Sequence, residues 1–167
     1  MWPLLLNHLL LRPLRAAGSA RIVNLSSATE KYGRIRLNDI HLEKGWSTFK
    51  SYTQAKLAMN MTTRKMAKEW AEYGITINAL NPGFIKTNLL RQIKGWERWI
   101  GVPYMYFCAS KPEKGADRIL RLALSKEYEN ISGKFVYEDA IREPNPLDLD
   151  DSLVEQVWAL SKKQVGL

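Results

Sequence analysis

The pattern of apolar and polar residues predicts four helices and three strands. Short β-branched runs are typical of buried strands, whereas longer stretches with apolar residues three or four positions apart are typical of helices. Gly74 stands where the longest helix should end, in the position of a C-cap. The predicted helices are residues 4–16, 50–73, 111–125 and about 148–163, and the predicted strands are residues 21–25, 75–80 and 133–137.

The order of these elements predicts an α/β fold. Helices of ten or more residues separate the strands, which favours parallel βαβ units. The strands are almost continuously apolar, as expected where both faces of a parallel sheet are covered. A sheet of three strands is small, and its edge needs a pairing partner or a shield.

Composition limits the class of protein but does not choose its ligand. A chain of 167 residues with 46% hydrophobic residues is suited to one folded domain, and its single cysteine, Cys108, cannot form an internal disulfide. Residues 130–167 hold four basic and seven acidic residues and therefore carry a charge of −3. Because the whole chain carries +8, the first 129 residues carry +11. Such a basic body suits a phosphate-bearing ligand, an anionic membrane surface or nucleic acid.

The first apolar segment is too short to cross a membrane. Residues 2–11 are apolar, but about 18 such residues are needed for a spanning helix. Arg12 and Arg15 follow the apolar run, whereas a secretory signal carries its positive charge before it. We favour an amphipathic helix docked on the domain, with a mitochondrial presequence as the alternative because the segment is basic and lacks acidic residues.

Tyr52 and Lys56 are the first candidates for chemistry. They are four residues apart in the second predicted helix, so they share one helix face. A phenol transfers protons near neutral pH only where its phenolate is stabilised, and a lysine ammonium one turn away provides that stabilisation. Because the chain has seven tyrosines, one such pair also arises by chance, and a solvent-exposed helix pair is the alternative.

Polar residues and a turn follow two of the predicted strands. Ser27 comes directly after the first strand, and the Pro82-Gly83 turn and Thr87 follow the second. Ligands of open α/β sheets bind beyond the carboxyl ends of the strands, so these residues and the tyrosine–lysine pair are expected to meet in one crevice. A hydroxyl, a phenol and a cation suit proton transfer between an alcohol and a carbonyl. Taken alone, Ser27 is equally well explained as a cap, and Pro82-Gly83 as an ordinary turn.

Three blocks of this sequence resemble the short-chain dehydrogenase/reductase family. They occur in the family's order over nearly the whole chain, and the 25 residues between Ser27 and Tyr52 resemble its retinol-dehydrogenase-like branch. Asp39-Ile and the segment from Trp46 to Phe49 resemble the same branch. The blocks are Arg21-Ile-Val-Asn-Leu-Ser-Ser27, Ser51-Tyr-Thr-Gln-Ala-Lys-Leu57 and Ile75-Thr-Ile-Asn-Ala-Leu-Asn-Pro-Gly83.

The resemblance implies a role for each matching position. Tyr52 would be the general acid/base, and Ser27 would bind the substrate oxygen. Lys56 would stabilise the ionised tyrosine and hold the ribose hydroxyls of the nicotinamide cofactor, NAD or NADP. The implied catalytic residues are Ser27, Tyr52 and Lys56, and the implied cofactor-binding residues are Tyr52, Lys56, Pro82, Gly83, Ile85 and Thr87.

The resemblance also implies which part of a domain this chain forms. The predicted strands would be the last three of a doubly wound parallel, Rossmann-type sheet. Family members begin with a glycine-rich turn that cradles the pyrophosphate, and the ten glycines of this chain include no such turn. We therefore expect residues 1–167 to form a single incomplete oxidoreductase domain without its dinucleotide-binding half, which binds the cofactor poorly on its own.

Two functions remain open at this stage. One is NAD(P)-dependent interconversion of an alcohol and a carbonyl on a lipophilic small molecule. The other is a catalytically silent fragment that serves as a binding or interaction module. The unpaired edge of the first strand predicts self-association into a homo-oligomer. We expect a cytoplasmic protein that contacts a membrane surface peripherally and does not bind nucleic acid.

Residues 88–107 alternate aromatic with basic residues. In the family this region forms a substrate lid, which is the interpretation we favour. A membrane-surface segment and a platform for single-stranded nucleic acid are the alternatives. His8 and His41 have no cysteine or carboxylate at ligand spacing, so the sequence predicts no metal site.

Overall fold

Four strands form one sheet in the order β1-β2-β3-β4. The computed structural model describes residues 2–86 and 109–167. The first three strands are parallel and the fourth is antiparallel to the third. The strands are β1 (Ala20–Leu25), β2 (Ile75–Asn81), β3 (Phe135–Tyr137) and β4 (Ala140–Arg142). The predicted α/β fold with a parallel sheet is confirmed.

Four α-helices flank the sheet: α1 (Trp2–Ala16), α2 (Thr48–Glu69), α3 (Pro112–Leu124) and α4 (Asp151–Val165). Side chains cap two of them, because Ser47 Oγ accepts from the backbone N–H of Lys50 and Asp150 accepts from that of Leu153. Among the described helices, none has both the length and the apolar character that are needed to cross a bilayer.

The helix predicted for residues 50–73 ends earlier than expected. α2 stops at Glu69, and a 3-10 turn over Ala71–Tyr73 leads into Gly74. Gly74 has a φ of 67°, and a Cβ there would lie 2.5 Å from the carbonyl oxygen of Gly18. Both the left-handed conformation and the close approach of the two loops require glycine at this position.

Successive side chains of the strands point to opposite faces of the sheet, and helices pack on both faces. Ile22 and Ile77 pack with α1, α2 and α4 in one core cluster, which includes Met66, Trp70 and Trp158. Val23 and Leu80 point the opposite way and pack with Leu122 of α3. α1, α2 and α4 therefore cover one face, and α3 covers part of the other.

β4 is absent from the sequence prediction, and the strand predicted at residues 133–137 is shorter than expected. The observed strand begins at Phe135, and a tight turn at Glu138, with a φ of 55°, returns the chain as β4. All three residues of β4 are exposed. An exposed strand of three residues is too short to show an apolar run or an alternation of apolar and polar residues. Its sequence pattern therefore cannot be distinguished from that of a loop.

β1 is an edge strand. The N–H groups of Ala20 and Ser26 donate to Gly74 and Leu80, so the even-numbered residues of β1 direct their backbone groups to β2. In a parallel pair the alternate residues face the other side. The N–H and C=O groups of Arg21, Val23 and Leu25 therefore face an edge at which, within residues 2–86 and 109–167, no strand pairs.

Candidate active site

The carboxyl ends of β1 and β2 lie side by side. Leu25 is paired with Leu80 in the parallel register, so the segments that follow both residues leave the sheet at the same end. Ser27 belongs to the first segment and Pro82 to the second. This edge is where open α/β sheets bind their ligands, and it brings together the two turns that the sequence predicted to converge.

Tyr52 and Lys56 lie on α2 beside the end of β1. Lys56 Nζ is 5.5 Å from the centre of the Tyr52 ring and donates a hydrogen bond of 2.7 Å to the carbonyl oxygen of Leu25. Burial lowers the pKa of Lys56 below its ordinary value. Tyr52 is 37% exposed. The lysine is thus half-buried beside the tyrosine, and the tyrosine side chain is exposed.

Ser27 is the N-cap of the 3-10 turn Ala28–Tyr32. Its Oγ accepts hydrogen bonds from the backbone N–H of Thr29 at 3.3 Å and from Thr29 Oγ1 at 3.0 Å. The capping role that the sequence left open is therefore present. Both bonds use the serine oxygen as acceptor, so capping leaves the hydroxyl hydrogen for another acceptor.

The sequence analysis missed the neighbouring pair Ser26 and Asn60. Ser26 Oγ donates to Asn60 Oδ1 at 2.6 Å, and both side chains are buried. Asn60 follows Tyr52 and Lys56 at spacings of four residues, so all three lie on one face of α2, and that spacing was the available signal. Asn60 Nδ2 has no hydrogen-bond partner among the described residues. Asn60 and Asp148 both line a cavity of about 20 Å³.

Buried asparagines fix β1 between α1 and α2. Asn7 Nδ2 donates to Asn24 Oδ1 at 3.2 Å, and Asn24 Nδ2 donates to Thr63 Oγ1 at 2.9 Å. Leaving any of these groups without its partner would cost about 1–3 kcal/mol, so the chain of bonds favours one register of strand and helices.

A buried arginine holds the turn after β2. Arg118 Nη1 donates to the carbonyl oxygen of Pro82 at 2.7 Å, and its Nη2 pairs with Glu138 at 2.6 Å and Asp139 at 3.0 Å. Gly83 has a φ of 89°, and a Cβ there would lie 2.7 Å from Arg118 Nη1. The arginine thus holds the turn in place, and no local pattern in the sequence indicates this contact.

The remaining predicted positions are only partly described. Ile85 forms an isolated parallel bridge with Ser110 and lies against Gly115 at the start of α3. Thr87, the proposed lid at residues 88–107 and Cys108 lie outside the described residues. Within residues 2–86 and 109–167, no three side chains of the metal-binding types come together.

Residues 8–140 match a family model described as enoyl-(acyl carrier protein) reductase. This chain belongs to the short-chain dehydrogenase/reductase family. The match covers the strand, helix and turn that build the crevice, so the resemblance found in the three sequence blocks is confirmed. The family membership also agrees with the parallel sheet and its flanking helices.

Among curated proteins, the chain is similar to retinol dehydrogenases. It is 34% identical to mouse (Mus musculus) retinol dehydrogenase 13 over 98% of this chain and 50% of that protein. It is 33% identical to human (Homo sapiens) retinol dehydrogenase 14 over 98% of this chain and 49% of that protein. The chain therefore spans about half the length of the curated relatives it matches, and the retinol-dehydrogenase-like branch is confirmed.

A solved structure from Agrobacterium tumefaciens with bound NADP is also similar. It shares 26% sequence identity and a TM-score of 0.52 over 75% of this chain and 48% of that one. None of these relatives supports the alternative of a catalytically silent binding module.

Proposed function

We propose that this chain supplies the catalytic crevice of an NAD(P)-dependent oxidoreductase that interconverts an alcohol and a carbonyl on a lipophilic small molecule. The observation that carries the proposal is the placement of Tyr52 and Lys56 on one face of α2, with the Lys56 ammonium bonded to Leu25 directly before Ser26 and Ser27. Proton donor, cation and hydroxyl thus belong to elements that meet at one end of the sheet.

The residues present fit the nicotinamide side of the cofactor. An ammonium and a phenol hydroxyl suit the vicinal hydroxyls of a ribose, and the rigid turn at Pro82 and Gly83 offers backbone surface for a flat ring. The sequence contains no glycine-rich turn for the pyrophosphate, so the fit is limited to that side. When bound, NAD or NADP supplies the hydride chemistry.

Three side chains have separate roles in proton transfer and charge stabilisation. The Tyr52 hydroxyl gives a proton to the substrate oxygen during reduction and takes it back during oxidation. The Ser27 hydroxyl hydrogen stabilises charge on the same oxygen. Lys56 has three hydrogens, so it can keep its bond to Leu25 and still stabilise the phenolate and contact a ribose.

Exposed aromatic side chains support a lipophilic substrate. Phe49 lies one turn before Tyr52 on α2, and its ring centre is 6.1 Å from that of Tyr32. Trp46 is also exposed and lies shortly before the helix. An apolar surface beside the proton donor suits a long hydrocarbon, and the names of the mouse and human relatives point to the same class of substrate.

Turnover of a chimera tests this function. The chain is joined to the matching N-terminal half of mouse retinol dehydrogenase 13, and oxidation of retinol and of a long-chain alcohol is followed through the reduced nicotinamide. We expect Tyr52→Phe to reduce turnover by about a hundredfold or more. Tyr73→Phe is the matched control, because Tyr73 lies in the 3-10 turn that follows the far end of α2. Near-normal turnover of Tyr52→Phe, or equal losses in both variants, contradicts the proposal.

A further inference from the structure

Two buried polar side chains line one small cavity, and each has an atom without a partner. Asn60 is 5% exposed and Asp148 is 3% exposed, and the cavity of about 20 Å³ lies between α2, the sheet and the segment that follows β4. Asn60 Nδ2 and Asp148 Oδ1 have no hydrogen-bond partner among the described residues. An amide nitrogen is a donor and a carboxyl oxygen an acceptor. Because unpaired polar groups are costly inside a protein, both atoms need a partner that can serve them together.

The size and lining of the cavity suit one water molecule. A water needs roughly 10–15 Å³ of such space and two to four polar partners, so a cavity of about 20 Å³ holds a single water. This water can accept from Asn60 and donate to Asp148, whose carboxyl group keeps an acceptor oxygen whether or not it is protonated. Arg64 and Lys134 also line the cavity, and their positive charges disfavour a metal cation there.

The Asn60 side chain continues the contact to the end of β1. Its Oδ1 accepts from Ser26 Oγ at 2.6 Å, and the N–H of Ser26 donates to the carbonyl oxygen of Leu80 at 2.7 Å. Ser26 directly precedes Ser27. The amide of Asn60 directs its oxygen to Ser26 only in one of its two orientations, and a partner for Nδ2 favours that orientation.

Asp148 belongs to a segment that also contacts the turn after Ser27. Asp148 lies in the 3-10 turn that Asn145 caps. Asn145 Nδ2 donates to the Glu30 carboxylate at 3.1 Å, and Glu30 lies in the 3-10 turn that Ser27 caps. The segment after β4 therefore reaches both sides of Ser27, because it binds Glu30 directly and faces the partner of Ser26 across the cavity.

We propose that the cavity binds one structural water that bridges Asn60 Nδ2 and Asp148 Oδ1, and that both side chains are positioning residues for Ser27. The water joins Asp148 to the hydrogen bond between Asn60 and Ser26. Without it the Asn60 amide can rotate, and the Ser27 hydroxyl loses the fixed geometry that stabilising a reacting oxygen requires. The water site stands on the cavity and its two polar groups, whereas the positioning role rests on the proposed function.

A high-resolution crystal structure of the unaltered 167-residue chain tests the water site. We expect electron density for one water at about 3 Å from both Asn60 Nδ2 and Asp148 Oδ1. Density for no water in the cavity, or a direct hydrogen bond between the two side chains, overturns the proposal. This test does not depend on enzymatic activity.

Hydrogen exchange measured by nuclear magnetic resonance tests the positioning in the same chain. Asp148→Leu removes the acceptor, whereas Asp148→Asn keeps an acceptor oxygen. We expect the N–H groups of Ser26 and Thr29 to exchange about tenfold faster in Asp148→Leu and at nearly the original rate in Asp148→Asn. The N–H of Ile77, which donates to Ser132 Oγ at 3.1 Å, is the internal reference. Equal acceleration at Ile77, or no acceleration at Ser26 and Thr29, overturns the positioning role.

Asp148→Ala replaces Asp148→Leu if the leucine variant does not melt cooperatively. A methyl group also offers no acceptor, so the same faster exchange is expected. Unchanged exchange at Ser26 and Thr29 in the alanine variant overturns the positioning role as well.

Turnover of the chimera with the N-terminal half of mouse retinol dehydrogenase 13 tests the effect on catalysis. Asp148→Leu should lower kcat at least about tenfold and leave the KM for the dinucleotide within about twofold, because Ser27 acts on the reacting oxygen. Asp148→Asn should restore most of kcat. Asp151→Leu is the control, because Asp151 is exposed at the start of α4.

Equal losses of kcat in Asp148→Leu and Asp148→Asn, or in Asp148→Leu and Asp151→Leu, overturn the positioning role. An unaltered chimera without activity contradicts the proposed function instead. The crystal structure and the exchange rates then still decide whether the water is bound and whether it holds the end of β1.

Discussion

Lys56 Nζ donates a hydrogen bond of 2.7 Å to the carbonyl oxygen of Leu25, and this oxygen faces the open edge of the sheet. The same ammonium lies under the ring of Tyr52. One side chain therefore has two roles. It satisfies a backbone acceptor with which no strand of the described part of the chain pairs, and it supplies the cation beside the proposed proton donor. Burial lowers the pKa of Lys56 because the ammonium loses part of its hydration. Its hydrogen bonds to the protein compensate for that loss.

Lys56→Met should destabilise the chain. The substitution keeps the apolar stem but leaves the Leu25 carbonyl without its donor, which should lower the free energy of unfolding by about 1–3 kcal/mol. Urea unfolding monitored by circular dichroism measures the change. Lys50→Met is the control, because Lys50 is exposed on the same helix and has only a 3.5 Å contact with Gly45. An unchanged midpoint for Lys56→Met would show that the bond to Leu25 contributes nothing.

The isolated chain should bind NAD and NADP weakly. Its sequence has no glycine-rich turn at a helix N-terminus to hold the pyrophosphate, so the contacts are confined to the nicotinamide side. Isothermal titration calorimetry with both dinucleotides measures the affinity, and the chimera with the N-terminal half of the mouse relative is the positive control. Micromolar affinity for the chain alone contradicts this expectation.

Stability should fall as the pH rises from about 4 to about 7. Burial and the neighbouring Glu30 raise the pKa of Asp148 from 3.8 to about 7. Arg64, which donates to the Asp148 backbone carbonyl, opposes the shift, and Asn145 binds the Glu30 carboxylate. Between the two pKa values the unfolded chain loses a proton that the folded chain keeps, so the loss of stability is on the order of a few kcal/mol.

Asp148→Asn tests the source of this pH dependence. The variant should show a flatter profile of urea midpoint against pH and should be more stable than the unaltered chain above pH 7. Asp151→Asn is the control, because Asp151 is exposed at the start of α4 and should leave the slope in place. If the urea midpoint of Asp148→Asn still falls with pH as steeply as that of the unaltered chain, other groups cause the pH dependence.

The open edge of β1 should drive self-association. Val23 and Leu25 present backbone groups to this edge, and the Leu25 side chain is 45% exposed. We expect light scattering to show association that grows with concentration, and Leu25→Lys to reduce it by placing a charge at the edge. Leu124→Lys is the control, because Leu124 is an exposed leucine at the end of α3. A compact monomer with cooperative melting at about tens of micromolar would refute this expectation.

Local patterns were sufficient for much of the fold. The Ile22 and Ile77 strands and the long helix that carries Tyr52 follow from residues close together in the chain, although that helix ends five residues before Gly74. The same holds for the pairing of Tyr52 with Lys56, because helical geometry alone puts residues four apart on one face. β4 was missed for the converse reason, since its three exposed residues have no pattern of their own and are fixed by pairing with β3.

The partners of the site residues depend on contacts between distant segments. Lys56 meets a carbonyl 31 residues away, Ser26 meets Asn60 across 34 residues, and Arg118 reaches back 36 residues to Pro82. Each contact depends on strand register and on the packing of a helix against the sheet, which no local pattern specifies.

The sequence by itself determined the class of fold, the order of its helices and parallel strands, and the candidate chemistry of Ser27, Tyr52 and Lys56, because these follow from periodicity and from motif spacing. Only the tertiary structure decided which buried polar groups form hydrogen bonds with one another. It showed that Lys56 binds the Leu25 carbonyl at the edge of β1, that Arg118 holds the turn at Pro82, and that one face of α1 carries exposed apolar side chains. Burial and hydrogen bonding between distant segments are properties of the packed chain, and they arise only when the sheet and its helices have assembled.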